Sequence, residues 1–165
     1  MFKGIVSALA IAGLAYATAA GAHGEAMHEK KASKVISTEQ KAFGREGDPK
    51  RASRTVNVDM RDTMRFTPAG LSVKQNETIR LRVKNSGKVM HELVLGTMQE
   101  LKEHAEIMKK HPGMEHDEAF MAHVAPGKTE TIVWQFNRPG EFFYGCLVPG
   151  HFEAGMIGRV QVTQK

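Results

Sequence analysis

Over residues 55–165, apolar and polar side chains alternate in short runs broken by Gly and Pro. Residues 55–60 alternate, 70–73 follow a proline, and 78–83 place Ile79, Leu81 and Val83 on one face. Asn85-Ser86-Gly87 then breaks the pattern. Runs at 90–95, 129–136, 141–146 and 156–163 read as further strands, with Ala125-Pro126-Gly127, Arg138-Pro139-Gly140 and Val148-Pro149-Gly150 as the turns. One stretch has a different period. From 98 to about 110, Met98, Leu101, Ala105 and Met108 recur at helical spacing, and Pro112-Gly113 stops the run. Many short strands with Gly/Pro turns predict an all-β Greek-key sandwich or barrel, here with one helical insertion.

The sequence upstream of this pattern is of two other kinds. Residues 1–22 carry Lys3, then an uncharged stretch rich in Ala, Ile, Leu and Gly, and end on Ala20-Gly21-Ala22. That is the layout of a cleaved signal peptide, and it predicts export to the periplasm with no stable membrane anchor afterwards. Residues 23–54 hold few large apolar side chains and no sustained alternation, which predicts a flexible basic tail before a domain at 55–165. Charge follows this division. The whole chain has 23 Lys and Arg against 18 Asp and Glu, a formal net charge of +5. Setting aside the tail's 8 basic and 5 acidic residues and Lys3 leaves 14 against 13 in the domain, so the basic balance gives no ground for a nucleic-acid surface.

The chemistry centres on the single cysteine, Cys146, which excludes internal disulfides and paired-cysteine motifs. Cys146, His151 and Met156 form a C-x4-H-x4-M pattern where one predicted strand ends and the last begins. With 8 His and 10 Met in the chain, that pair of offsets has chance odds of roughly 0.3%. A thiolate, an imidazole and a thioether on one tight loop make a soft site suited to copper, and His91 on another strand supplies a second imidazole. Two His and one Cys in a plane with a long axial Met is the blue-copper arrangement.

At these residues the chain resembles the cupredoxin family. The likeness rests on His91 soon after the Asn-Ser-Gly turn, the aromatic strand Phe142-Phe143-Tyr144-Gly145-Cys146, the Pro149-Gly150-His151 turn and the closing Met156. It covers residues 64–165 and is greatest to the periplasmic copper-tolerance cupredoxins of bacteria. The resemblance implies a cupredoxin β-sandwich and one type 1 copper held by His91, Cys146, His151 and Met156. It also implies copper binding with electron transfer rather than enzymatic turnover, and a role in copper tolerance, buffering or oxidising periplasmic Cu(I). A diffusible carrier to a respiratory or denitrification reductase is the alternative, and a c-type cytochrome or other periplasmic redox protein is the partner either role implies. One position departs from the family. Where azurins and plastocyanins usually carry Asn after the first His ligand, tying the two ligand strands together, this chain has Glu92.

Six histidines lie outside this set: His23, His28, His104, His111, His116 and His123. His104, Met108 and His111 share a helical face, and His111, Met114 and His116 share a loop, so the insertion offers soft donors for an additional copper. Signal cleavage near Ala22 would free an amine beside the imidazole of His23, a second such place. His-x-His pairs for a trinuclear centre, a Ser-His-Asp signature and a Gly-rich phosphate loop are all absent.

Overall fold

The computed structural model describes residues 35–112, 114 and 116–164. The chain runs β1 (Gln40–Lys41), β2 (Gly44–Glu46), a short 3-10 turn (Pro49–Arg51), β3 (Arg54–Arg61), β4 (Arg65–Thr67), β5 (Gly70–Lys74), β6 (Glu77–Asn85) and β7 (His91–Gly96). It continues through α1 (Met98–Lys110), β8 (Met121–Val124), β9 (Thr129–Phe136), β10 (Gly140–Gly145) and β11 (Ile157–Thr163). One sheet has the order β1-β2-β9-β6-β3-β4, the other β5-β11-β10-β7-β8. β3 pairs with β6, and β5 with β11, in parallel; the other pairings are antiparallel.

The alternation seen in the sequence is what closes the sandwich. Ile79, Leu81 and Val83 of β6 are fully buried, while the alternating Arg80 is half-buried and Arg82 and Lys84 face water. β11 does the same with Val160 and Val162 on the inner face. β7 lacks such alternation because both of its faces are covered. Leu93 and Leu95 join the inter-sheet core, while Val94 meets Leu101, Ala105 and Met108 of α1. The helix is started by a capping box: Thr97 Oγ1 accepts from Glu100 N–H at 3.2 Å and Glu100 Oε2 accepts from Thr97 N–H at 2.8 Å. It thus begins one residue after β7 and packs straight back over it. Met98, expected on the buried stripe, is only half-buried.

The expected flexible tail to residue 54 is corrected by the structure, because residues 40–54 are folded. Phe43 is 2% exposed and stacks on Trp134 with centroids 5.2 Å apart, and Trp134 Nε1–H donates to Phe43 O at 3.0 Å. Arg45 and Glu46 then pair with Gln135 and Trp134 of β9, and Gly47 N–H donates to Val133 O at 2.9 Å. Gly44 sits at φ +127, where a Cβ would overlap the Gln135 carbonyl, so a glycine permits the close approach. Two strands of two and three residues anchored by one aromatic ring carry no readable alternation, which is why composition suggested disorder. The expected signal segment, residues 1–22, and residues 23–34 lie outside the described residues. Among the described residues, no helix is long and apolar enough to cross a membrane.

Candidate metal centre

The four residues singled out in the sequence come from two places. His91 opens β7, and Cys146, His151 and Met156 lie on the loop between β10 and β11. The loop is held at its base by Cys146 N–H donating to Met156 O, and across its middle by Met156 N–H donating to His151 O, both at 3.1 Å. Gly150 and Gly155, at φ +88 and +87, make the turns, and Arg65 reaches over from β4 to donate to Ala154 O at 2.8 Å. Phe152 packs against Gly145, which anchors the loop in the smaller apolar cluster with Leu101 and Leu147.

These constraints bring the donor atoms of His91, Cys146 and His151 within 4.8 Å of one another. Cys146 Sγ lies 3.2 Å from His151 Nδ1 and 3.9 Å from His91 Nδ1. A trigonal metal with bonds of about 2.3 Å to sulfur and about 2.0 Å to nitrogen separates sulfur and nitrogen by roughly 3.7 Å, so the donor set suits one ion. Met156 is fully buried beside the cysteine. Burial pushes the Cys146 thiol up to about 12, against which Glu92 N–H, donating to Sγ at 3.4 Å, favours the thiolate. The two imidazoles are unequal. His91 is fully buried, whereas His151 is half-buried, with its pKa lowered by burial and then by the neighbouring His91.

Two carboxylates surround the donors. Asp62, on the β3–β4 turn, accepts from His91 Nε2 at 3.1 Å and from Lys88 N–H at 2.8 and 3.0 Å; these bonds, that of Lys88 above all, lower its pKa. Nothing in the local sequence marks Asp62, since the turn joins the site only through folding. Glu92 is 3% exposed; its Oε1 accepts from Leu147 N–H at 2.8 Å and its Oε2 lies 3.0 Å from His123 Nδ1. It therefore ties β7 to the ligand loop, the task that Asn performs in the family pattern. Burial raises the Glu92 pKa.

The histidines of the insertion divide. His111 is exposed at the helix end and Met114 is 40% exposed, while the rings of His104 and His116 lie 5.0 Å apart. Among the described residues the buried His116 Nδ1 has no hydrogen-bond partner, and His123 Nε2 contacts His116 O at 3.1 Å. Burial lowers the His104 pKa, assisted by His116 and His123. His23 and His28 lie outside the described residues.

Comparison with known proteins agrees with this geometry. Residues 52–163 match the family described as copper binding proteins, plastocyanin/azurin family. The chain is 50% identical over 120 residues to the copper-resistant cuproprotein CopI of Rubrivivax gelatinosus, covering 73% of each protein. It is 32% identical over 113 residues to CopI of Vibrio cholerae, covering 68% of this chain and 67% of that one. Among solved structures, reduced auracyanin from Roseiflexus castenholzii superposes with a TM-score of 0.58 at 21% identity, covering 68% of this chain and 98% of that one. An azurin from Methylomonas sp. strain J gives 0.57 at 18% identity, covering 68% and 99%. At these identities the solved structures establish the cupredoxin fold.

Proposed function

The chain belongs to the plastocyanin/azurin family of copper-binding proteins, and from that premise we propose that His91, Cys146, His151 and Met156 hold one type 1 copper serving copper tolerance. The observation that carries this is the gathering of a thiol and two imidazoles, from positions 91, 146 and 151 of the chain, into one largely buried cluster. The donor set is the soft, mixed S/N kind that copper prefers, and relatives at 50% and 32% identity bear the name copper-resistant cuproprotein. Copper bound there supplies one-electron chemistry, cycling between Cu(I) and Cu(II). The residues do the rest: the rigid sandwich fixes the donors, Cys146 gives up its proton on metal uptake, and half-buried His151 leaves an edge through which electrons pass. Four protein donors leave no open position for a substrate at the metal, so the chain works by binding copper and moving electrons, not as an oxidase. Residues 1–22 act as an export signal and place this work in the periplasm. There the protein buffers or oxidises Cu(I), handing the electron to a c-type cytochrome or similar protein.

A second observation favours tolerance over a simple carrier. His116, whose ring lies beside His104 and whose buried Nδ1 has no hydrogen-bond partner among the described residues, lines a groove with Met90, Met108 and Met114. We assign this cluster to an additional copper, which a carrier with one redox centre does not need. Copper titration followed by visible and EPR spectroscopy tests both assignments. Intense thiolate-to-copper absorption that vanishes in Cys146→Ala is expected, and its absence from the wild type refutes the type 1 site. Stoichiometry above one that falls in His116→Ala supports the additional copper; a single equivalent, with fast electron exchange to a cytochrome, points to the carrier.

A further inference from the structure

The imidazole of His91 is held from behind by a charged group, and the details of that contact fix more than its orientation. His91 Nδ1 faces Cys146 Sγ, while Nε2 lies 3.1 Å from Asp62 Oδ1. An ionised carboxylate only accepts, so Nε2 carries the proton and Nδ1 presents its lone pair to the donor cluster. His151 has the opposite surroundings: its Nδ1 lies 3.2 Å from the same sulfur, and its ring is half-buried rather than enclosed.

Asp62 is itself set firmly in place. Lys88 N–H donates to both of its oxygens, and Val89 N–H approaches Oδ1 at 3.4 Å. These amides belong to the segment leading into His91, so one carboxylate pins both the ring and the backbone that delivers it. Asn85 fixes the same segment from the other side, its Nδ2 donating to Val89 O and Val124 O at 2.8 Å. Gly87 completes the fit, because a Cβ there would overlap the Asp62 carboxylate. The glycine of the Asn-Ser-Gly turn thus makes room for the charge.

Resting on the ligand assignment above, we propose that Asp62 is a positioning residue that orients His91 and biases the copper site toward Cu(II). A carboxylate hydrogen-bonded to the far nitrogen makes the imidazole a stronger donor. A negative charge close to the site also favours the more highly charged metal state. Both effects act in one direction and lower the reduction potential. Asp62 is 39% exposed on its side chain, so the direct hydrogen bond, which solvent does not screen away, carries the larger share.

The test is the potential of the copper-loaded full chain, measured with its visible and EPR spectra, in wild type, Asp62→Asn, Asp62→Ala and Gly87→Ala. Asn keeps an oxygen to accept from Nε2 and removes the charge. It is expected to leave the spectra nearly unchanged and to raise the potential. Ala removes orientation as well, and is expected to alter the spectra, to weaken copper binding by about 10- to 100-fold and to raise the potential, each tenfold lost in the preference for Cu(II) reading as about 59 mV for a one-electron couple. Gly87→Ala retains the carboxylate but displaces it, and is expected to shift the potential in the same direction. Wild-type potential in both Asp62 variants overturns the proposal. A wild type without Cys146-dependent absorption refutes the ligand assignment instead, so the two failures are distinguishable.

Discussion

Glu92 offers the most direct test of how the ligand loop is held. In Glu92→Ala, Leu147 N–H, on a residue 1% exposed, loses the carboxylate oxygen that accepts it at 2.8 Å. A buried unsatisfied amide costs about 1–3 kcal/mol. The void left by the rest of the side chain adds to this, whereas the loss at His123, 29% exposed, is partly made good by water and is worth less than about 1 kcal/mol. Together these predict a loss of about 2–4 kcal/mol in the metal-free protein. Glu92→Gln is a sharper probe. Its carbonyl still accepts from Leu147, and its amide donates to His123 Nδ1 while His123 Nε2–H donates to the carbonyl of His116. Every group is satisfied without a buried charge, so the predicted cost is below about 1 kcal/mol.

The two variants also differ in pH dependence. Burial raises Glu92 above its ordinary value of 4.5. As pH climbs from there through the raised value, the folded wild type keeps a proton that the unfolded chain has released, and its stability declines. Gln has no such proton, so the balance between wild type and Gln moves toward Gln as pH rises over that window. Urea unfolding followed by circular dichroism at several pH values measures both effects. An alanine variant within about 1 kcal/mol of wild type, or a Gln variant as damaged as Ala, refutes the account of the buried carboxylate as a tie between strand and loop.

Three other outcomes are expected. Gly158→Ala forces a Cβ into the ring of Tyr144, which is fully buried, edge-on to Phe66 at 5.0 Å and bonded through its hydroxyl to Pro68 O at 2.6 Å, so it cannot yield; a loss of about 1–3 kcal/mol is expected in urea melts. A chain beginning at residue 55 loses Phe43 and leaves Trp134 uncovered, so its urea midpoint is expected to fall well below that of a chain beginning at residue 35, and equal midpoints would contradict the packing of residues 40–54. Cys146, with its thiol pushed up to about 12 by burial, is expected to resist alkylation at pH 8 in the folded metal-free protein and to react promptly once unfolded, which mass spectrometry reads directly.

The parts of the fold that the sequence displays are those whose neighbours share one period. β6, β9 and β11 alternate over seven to nine residues against a single core, and α1 repeats over 13, so a one-dimensional pattern carries them. β1, β2 and β4 span two or three residues, and β8 spans four. Their existence depends on partners far along the chain, as with Arg45 against Gln135 and Met121 against Val94, and no local window holds that information. The strand limits near the site show the same effect. Cys146 and Met156, expected inside strands, lie just beyond β10 and just before β11, because the loop closes through the Cys146 N–H to Met156 O bond rather than through a longer ladder.

The candidate site divides along the same line. Cys146, His151 and Met156 were legible because a single loop carries them at fixed spacing, and His91 because it follows a turn at the start of a strand. The groups that condition those donors come from elsewhere. Asp62 reaches His91 across 29 positions, and His123 meets Glu92 because β8 lies beside β7 in register, with Glu92 opposite His123. Glu92 itself was visible only as a departure from the family's usual Asn, and its compensation could not be read from the chain: an acceptor needs a donor, and the donors, Leu147 N–H and His123, are supplied by folding. The donors belong to the motif, but the charge placed behind them belongs to the tertiary structure. Two cupredoxins with the same four residues can therefore differ in redox behaviour, since a carboxylate at one imidazole weights the two copper states differently while leaving the motif unchanged.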